Sequence, residues 1–336
     1  MKCGFALFRI SGSGRTNAGK QDPKEKELVE EFDFSRLRRT HLSERPSLFS
    51  VEQSARPTAL TAGVLSFLKS LPRVGMINDI RALARATVEA KRRGRMILFM
   101  FGAHLIKCGL TPILIDLMKQ GFIKALATHG ASCVHDIELA LCGRTSEDVA
   151  AALKDGSFGM ADETGKVFAK AAEEGAEKGL GTALGEVLLE APLAGNSLFA
   201  AAAQLSIPVT VHIAIGTDIV HTHPALDGAK LGAATLSDFR RFVNIVAQLH
   251  NGVVINFGSA VIMPEVFLKA LSAARNAFNK PYNFHAANFD QIPHYRPTRN
   301  ILERTGAISY NINGRHEITL PLLRLFLLAE ERGWKV

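Results

Sequence analysis

Apolar runs of strand length alternate along this chain with amphipathic stretches of helix length. Five of the apolar runs break off into a short cluster of Gly, His, Thr, Asn or Asp: Gly102-Ala103-His104, Thr128-His129-Gly130-Ala131, Gly216-Thr217-Asp218, Gly258-Ser259-Ala260 and Ala287-Asn288-Phe289-Asp290. Such repetition is expected of neighbouring parallel strands whose carboxyl ends line one crevice, the place where open α/β sheets bind ligands. Residues 96–101 form a continuous apolar run. Residues 111–120 follow with Ile113, Leu114, Leu117 and Met118 spaced for one helical face. Residues 122–127 repeat the strand, and 134–141 read as a helix opening near His135-Asp136. Helical segments rich in Ala, Glu and Lys fill 146–189, punctuated by Gly156, Gly159, Gly175 and Gly179. The alternation then resumes with helix 196–205, strand 207–215, helix 236–249, strand 253–257, helix 265–278, strand 282–284, strand 307–312 and a closing amphipathic helix over 317–331. Strands separated by helix-length crossovers predict an α/β fold with a doubly wound, mostly parallel sheet.

A chain of 336 residues can bury a large core. Its net charge of +8 is dispersed or sits in runs such as Lys91-Arg92-Arg93-Gly94-Arg95 and Arg36 to Arg39. No aromatic residues interleave with these runs to offer stacking platforms, so they read as solvated faces and no nucleic-acid partner is expected. The same basicity can attract an anionic cofactor. The four cysteines, Cys3, Cys108, Cys133 and Cys142, form no CxxC pair and follow no secretory signal, which points to a reducing cytoplasm. The longest apolar run is far short of the roughly 20 residues a membrane span needs. Residues 1–50, dominated by Gly, Ser, Lys, Glu and Arg, read as a flexible or loosely docked arm, and residues 51–336 as a single domain. Within the arm, residues 14–20 match a phosphate loop as far as Lys20. Gln21 stands where the Mg²⁺-binding hydroxyl belongs and Asp22-Pro23 interrupts the helix, so the match is read as coincidence.

Glycines at strand ends allow close backbone approach, and amides at helix starts attract phosphate, although tight turns alone also call for glycine. Asp136, Asp218 and Asp290 can accept hydrogen bonds from ribose hydroxyls or pair with a cationic amine. No GxGxxG follows the first strand. Histidines crowd the same ends, at His104, His129, His135, His212, His221, His223 and His285. The spacing His221-Thr222-His223, with Asp218 nearby, could present three ligands to a metal, but the larger expectation is hydrogen bonding or proton transfer. His212 falls inside a strand and reads as a satisfied core residue.

Several of these blocks, in order, are similar to the deoxyhypusine synthase family and its bacterial relatives. They are Phe101 to Leu110 (with Gly102, His104 and Cys108), Ala127 to Ala131 running on to His135-Asp136, Ile207-Pro208-Val209 leading to Thr217-Asp218, Gly258 to Ile262, Phe289-Asp290 and Arg296-Pro297. The resemblance spans roughly residues 60–330. It implies a Rossmann-like NAD-binding fold, usually a homotetramer with sites at subunit interfaces. In that family NAD⁺ takes hydride from spermidine, and a lysine captures the aminobutyl group as an imine before passing it to a protein lysine. Carried over by position, Gly102, Ala103, His104, Cys108, Thr128, His129, Gly130, Ala131, Asp136, Thr217, Asp218, Asn288 and Asp290 would hold the cofactor.

The departures fall where that family does its transfer chemistry. Its Trp-Gly-Lys after Arg-Pro is replaced here by residues 298–305, with no lysine or tryptophan, the lysine's place falling near Arg304-Thr305. Its Lys-His pair falls on Met263-Pro264, its second acid falls on His223, and Arg299 stands where a further acid is expected. Arginine and threonine form no Schiff base at neutral pH, and a polycation needs carboxylates to compensate its desolvation. The expectation is therefore an NAD-dependent enzyme acting on an amine or related small substrate, and not a true deoxyhypusine synthase. His223 and His285 would transfer protons and Arg296 would hold an anionic group, with no resident metal. The alternatives are an aminobutyl transferase of the deoxyhypusine or homospermidine synthase type recruiting Lys107 or Lys280, a non-catalytic NAD-binding protein, and a metal-dependent hydrolase.

Overall fold

Strands that are buried on both faces carry no polar alternation, and the apolar runs of this chain pair accordingly. The computed structural model describes residues 29–336. Six strands form one sheet: β1 (Ile97–Phe101), β2 (Ala125–His129), β3 (Val209–His212), β4 (Val253–Phe257), β5 (His285–Asp290) and β6 (Ile308–Asn313). Their order across the sheet is β3-β2-β1-β4-β5-β6, and every pairing is parallel. All six carboxyl ends thus lie along one edge, and the chain reverses its direction of travel across the sheet between β1 and β4. That reversal is the topological switch point of a Rossmann-like, doubly wound fold.

Two apolar cores cover the faces. On one side Phe99, Phe101, Ile255, Phe257, Phe289 and Ile312 pack with helices that include α1 (Gly75–Arg92), α2 (Thr111–Lys119), α3 (Gly130–Cys142) and α4 (His316–Glu331). On the other, Leu98, Met100, Ala127 and Val254 pack with the helices Gly228–Ala247 and Ile262–Phe278. Among the described residues no helix is long and apolar enough to cross a membrane.

The expected elements recur with three informative differences. Helix α3 begins at Gly130, directly after β2, so His135 and Asp136 lie inside it and not at its opening. The stretch expected as strand 282–284 is a turn, held by Asn279 and Asn283 in left-handed conformations (φ 51° and 57°), and the strand starts only at His285. The chain from Phe34 onward belongs to the same unit as the sheet. Leu42 is buried, and Arg45 donates to both oxygens of Glu138 at 2.7 and 2.8 Å and to Glu147 at 3.0 Å. The docked chain therefore begins well before residue 50. The phosphate-loop-like segment 14–20 lies outside the described residues.

Candidate functional site

At the switch point two backbones touch. The Gly102 amide donates to the Phe257 carbonyl (2.9 Å), and a Cβ on Gly102 would lie 2.5 Å from the Gly258 carbonyl oxygen. Gly258 adopts φ +62°, and a Cβ there would lie 2.5 Å from His316 Nε2. Glycine at both positions lets His316 close over the junction, its ring edge-on to Phe257 (6.0 Å) and to His104 (5.7 Å). Burial lowers the His316 pKa, leaving a neutral imidazole whose Nδ1 has no partner. Beside it, His104 Nε2 lies 3.2 Å from Cys108 Sγ and 3.0 Å from the Gln291 side-chain nitrogen. Burial, and then the adjacent Glu317 carboxylate, push the Cys108 thiol up to about 11. Asp290 ends β5, with Oδ1 accepting from the Gln291 amide at 2.8 Å and Oδ2 buried without a hydrogen bond, His294 Nε2 lying 3.8 Å away.

Over β2 and β3 the crevice continues past Gly130, where any Cβ would collide with the Asp218 carboxylate. Burial pushes that carboxyl up to about 6. Thr217 is turned to the Ala214 carbonyl (2.7 Å), and His221 Nδ1 fixes the loop by accepting from the Gly216 and Asp218 amides at 3.0 and 3.3 Å. A cavity of about 200 Å³ opens beside Asp218, lined among others by Ala131, His135, Lys107, Glu138 and Glu147.

Gly102, Ala103, His104, Cys108, His129, Gly130, Ala131, Thr217, Asp218 and Asp290 thus come together along one edge. Other expected site residues are placed otherwise. Asp136 is wholly buried inside α3, where its carboxylate accepts from Ser197 Oγ and from the Leu198 (2.7 Å) and Phe199 (3.3 Å) amides, capping the helix Leu198–Gln204. No oxygen is left for a ribose. Thr128 Oγ1 donates to the Phe101 carbonyl at 2.8 Å and ties β2 to β1. Asn288 lies within β5, one residue short of the strand's end pair, accepting from Asn256 Nδ2 at 2.8 Å while its own Nδ2 is left without a partner under the crevice. His223 is buried, Nε2 facing Asp162 Oδ1 (3.2 Å) and Nδ1 accepting from the Ala225 amide (3.2 Å), so it forms no metal pair with His221. Its ring packs where a Cβ on Gly165 would stand. His285 occupies the amino end of β5, about 16 Å of extended chain from Asp290, and bonds Tyr310 (3.0 Å). It lies on the wrong edge for proton transfer in the crevice. Arg296 is half exposed and bound to Glu265 at 3.2 Å. His212 is buried beside Thr210 Oγ1 (3.1 Å), its pKa lowered to about 3 by burial, as a core histidine.

Three residues of the crevice escaped the sequence reading: Gln291, His316 and Glu317. The signal was present, because Asn313-Gly314 followed by His316-Glu317 repeats, at the sixth strand, the pattern recognised at the other five. The place matched to the imine-forming lysine is also clarified. Arg304 and Thr305 precede β6, at the amino edge, bound to Asn300 (2.8 Å) and to the Ile301 carbonyl (2.9 Å).

No protein-family profile matches the chain. It is 32% identical over 68 residues to an ornithine cyclodeaminase of Methanothermobacter thermautotrophicus, a match covering 20% of this chain and 16% of the other. It superposes on apo ArgZ, an arginine dihydrolase from the ornithine-ammonia cycle in cyanobacteria, with TM-score 0.51 and 16% identity, over 76% of this chain and 33% of that one. A candidate deoxyhypusine synthase from Entamoeba histolytica aligns with TM-score 0.45 and 13% identity, over 79% and 92%. The matches cover a third or less of the first two proteins' lengths, and the ArgZ likeness is one of fold.

Proposed function

We propose that the crevice binds NAD and that the chain uses it in redox chemistry on a small amine-bearing substrate. The carrying observation is the switch point itself, where Gly102 and Gly258 bring two backbones into contact while buried polar atoms of Asp290 and His316 remain unmatched. A dinucleotide needs such a junction for close backbone approach. NAD⁺, when bound, supplies a hydride acceptor. Asp218, beside the start of α3, is the carboxylate placed to accept from ribose hydroxyls. Asp290 Oδ2, which has no hydrogen-bond donor and only His294 Nε2 at 3.8 Å, suits an ammonium, since a buried carboxylate oxygen without a donor is costly and a charged donor offsets that cost. His104 is the imidazole at the crevice mouth able to exchange a proton with the substrate. The ornithine cyclodeaminase likeness is in keeping with an amine-bearing substrate.

Calorimetric titration with NAD⁺, with and without a panel of diamines and basic amino acids, tests this. Saturable NAD⁺ binding weakened by Asp218→Ala, and amine binding removed by Asp290→Asn while NAD⁺ still binds, is the expected result. Absence of NAD⁺ binding at roughly millimolar concentration would sink the proposal.

A second reading, transfer of an aminobutyl group through a lysine imine, draws on one observation. Lys107 lines both the cavity beside Asp218 and the shallow depression beside His104 and Cys108, whereas Lys280 sits in the turn before β5, at the amino edge. Borohydride trapping with NAD and spermidine, followed by peptide mass spectrometry, would find the adduct on Lys107; an unmodified Lys107 rejects this reading.

A further inference from the structure

We infer that His104, Cys108 and Glu317 form a three-ligand site for a divalent transition metal, with zinc the best match. The imidazole Nε2, the thiol sulfur and a carboxylate oxygen lie within 4.8 Å of one another, and Nε2 and Sγ are already 3.2 Å apart. Zinc bonds of about 2.0–2.3 Å in a tetrahedron place ligand atoms roughly 3.3–3.8 Å apart, so the three side chains need only small rotations to close.

The arrangement follows from the fold. His104 and Cys108 stand four residues apart on the short turn after β1, where such spacing presents both side chains on one face. Glu317 lies in the first turn of α4, which follows β6. The ligands therefore join the first strand's loop to the last strand's helix across the switch point. The donor set of one imidazole, one thiolate and one carboxylate suits a borderline-soft ion and leaves a fourth position for water or a neutral donor of the substrate.

The apo surroundings are poorly balanced without a cation. His104 Nε2 is approached by both the thiol and the Gln291 amide group, and the half-buried Cys108 thiol faces the Glu317 carboxylate. The remaining charged neighbours are Lys107, which faces Cys108, and Arg315, whose guanidinium lies 3.8 Å from Glu317 Oε1 and is the competitor an incoming ion must displace. Binding releases one proton from Cys108 to solvent, while His104 binds neutral and Glu317 binds as the carboxylate. The inference is tested apart from the NAD reading, because metal binding is measured with no dinucleotide present; with the ion in place His104 Nε2 takes up no proton, and the proton exchange assigned to it passes to the fourth-position water.

The test uses the full chain, stripped with chelator and titrated with Zn²⁺ by calorimetry and with Co²⁺ by absorption. One ion per chain is expected, with a near-ultraviolet thiolate-to-cobalt charge-transfer band. Cys108→Ser should abolish that band. Cys108→Ala and His104→Ala should each weaken Zn²⁺ binding about 100-fold or more, and Glu317→Gln about 10-fold or more, with circular dichroism confirming that each variant folds. Cobalt bound without the band, or Zn²⁺ affinity unchanged in both Cys108→Ala and Glu317→Gln, overturns the site. Loss of binding in His221→Ala but not in these variants would move the metal elsewhere and equally overturn it.

Discussion

The crevice has two halves, and they treat their polar groups differently. Over β1, β2 and β3 the side chains mostly serve the protein: Asp136 caps a helix, Thr128 ties two strands, His223 holds Asp162, and Glu138 receives Arg45. Over β4, β5 and β6 the reverse holds. Asn256, Asn288 and Asn311 stand in register across three strands, and each keeps one buried side-chain atom without a partner, as do Asp290 and His316. Each such atom costs about 1–3 kcal/mol if it stays unmatched, so a row of them is the mark of a surface shaped for something other than the chain itself. The loop of Asp218 and His221 is an exception in the first half: the buried carboxylate has only long side-chain contacts, 3.4 Å to Thr217 and 4.0 Å to His221 Nε2, and that nitrogen has no hydrogen bond of its own. Residue type alone, then, does not identify a site. What distinguishes a ligand-facing aspartate from a structural one is whether the fold has already supplied its donors.

The sharpest way to break the comparison is to fill the junction between the halves. Gly258→Val places a β-branched side chain at φ +62° and against His316, and should cost about 3 kcal/mol or more. It should also abolish NAD⁺ binding. A thermal melt unchanged from wild type would mean that His316 does not close over Gly258 as described.

Next in size is the contrast between two aspartates. Asp136→Ala removes three hydrogen bonds from the start of a helix and should cost about 2 kcal/mol, with NAD⁺ affinity in the folded fraction unchanged. Asp218→Asn should do the opposite, weakening NAD⁺ about tenfold while raising stability at neutral pH. The sign follows from burial, which lifts the folded-state carboxyl of Asp218 from 3.8 to about 6. The folded protein then binds more protons than the unfolded chain between these values, so this group's contribution to stability is greatest at low pH and is lost as pH rises through about 6. Removing the carboxylate relieves that penalty, on the order of 1–3 kcal/mol. Denaturant melts of both variants across this range check the pair. Equal losses of stability, or NAD⁺ affinity lost in Asp136→Ala alone, would dissolve the distinction between the halves.

These contrasts also show what the sequence carried. The succession of strands along the chain needs only the apolar runs, and β1 and β4 are legible almost to the residue because nothing polar interrupts β1 and Asn256 alone interrupts β4. Strand β5 was displaced because its ladder includes His285 and Asn288, which a search for apolar runs passes over, while the preceding Tyr282 and Phe284 belong to a turn. That displacement carried His285 to the wrong edge. The positions of Gly102, Asp218 and Asp290 were legible because strand ends must face the crevice. The fate of Asp136 was not, since its donors at Ser197 and Leu198 lie some sixty residues away. His223 is a similar case, its partner Asp162 being contributed by a helix inserted between β2 and β3. His223→Ala should accordingly lose about 1–2 kcal/mol of stability, measured by denaturant melt, with no change in NAD⁺ affinity. A wild-type melt combined with lost turnover would restore His223 to the chemistry.

The smallest expected effect falls on His285, and it probes the comparison from outside the crevice. At the foot of β5 its ring stacks on Tyr310 at 5.9 Å and shares a hydrogen bond with it, while burial lowers its pKa so that the imidazole is neutral. His285→Ala removes one partly exposed bond between neutral groups, worth about 1 kcal/mol or less. Both the NAD⁺ affinity and the pH dependence of turnover should match wild type, because a parallel sheet holds its two edges apart by the full length of its strands. If the pH profile shifted instead, a group at the amino edge would be coupled to the reaction. The carboxyl-edge crevice would then not be where the chemistry is done.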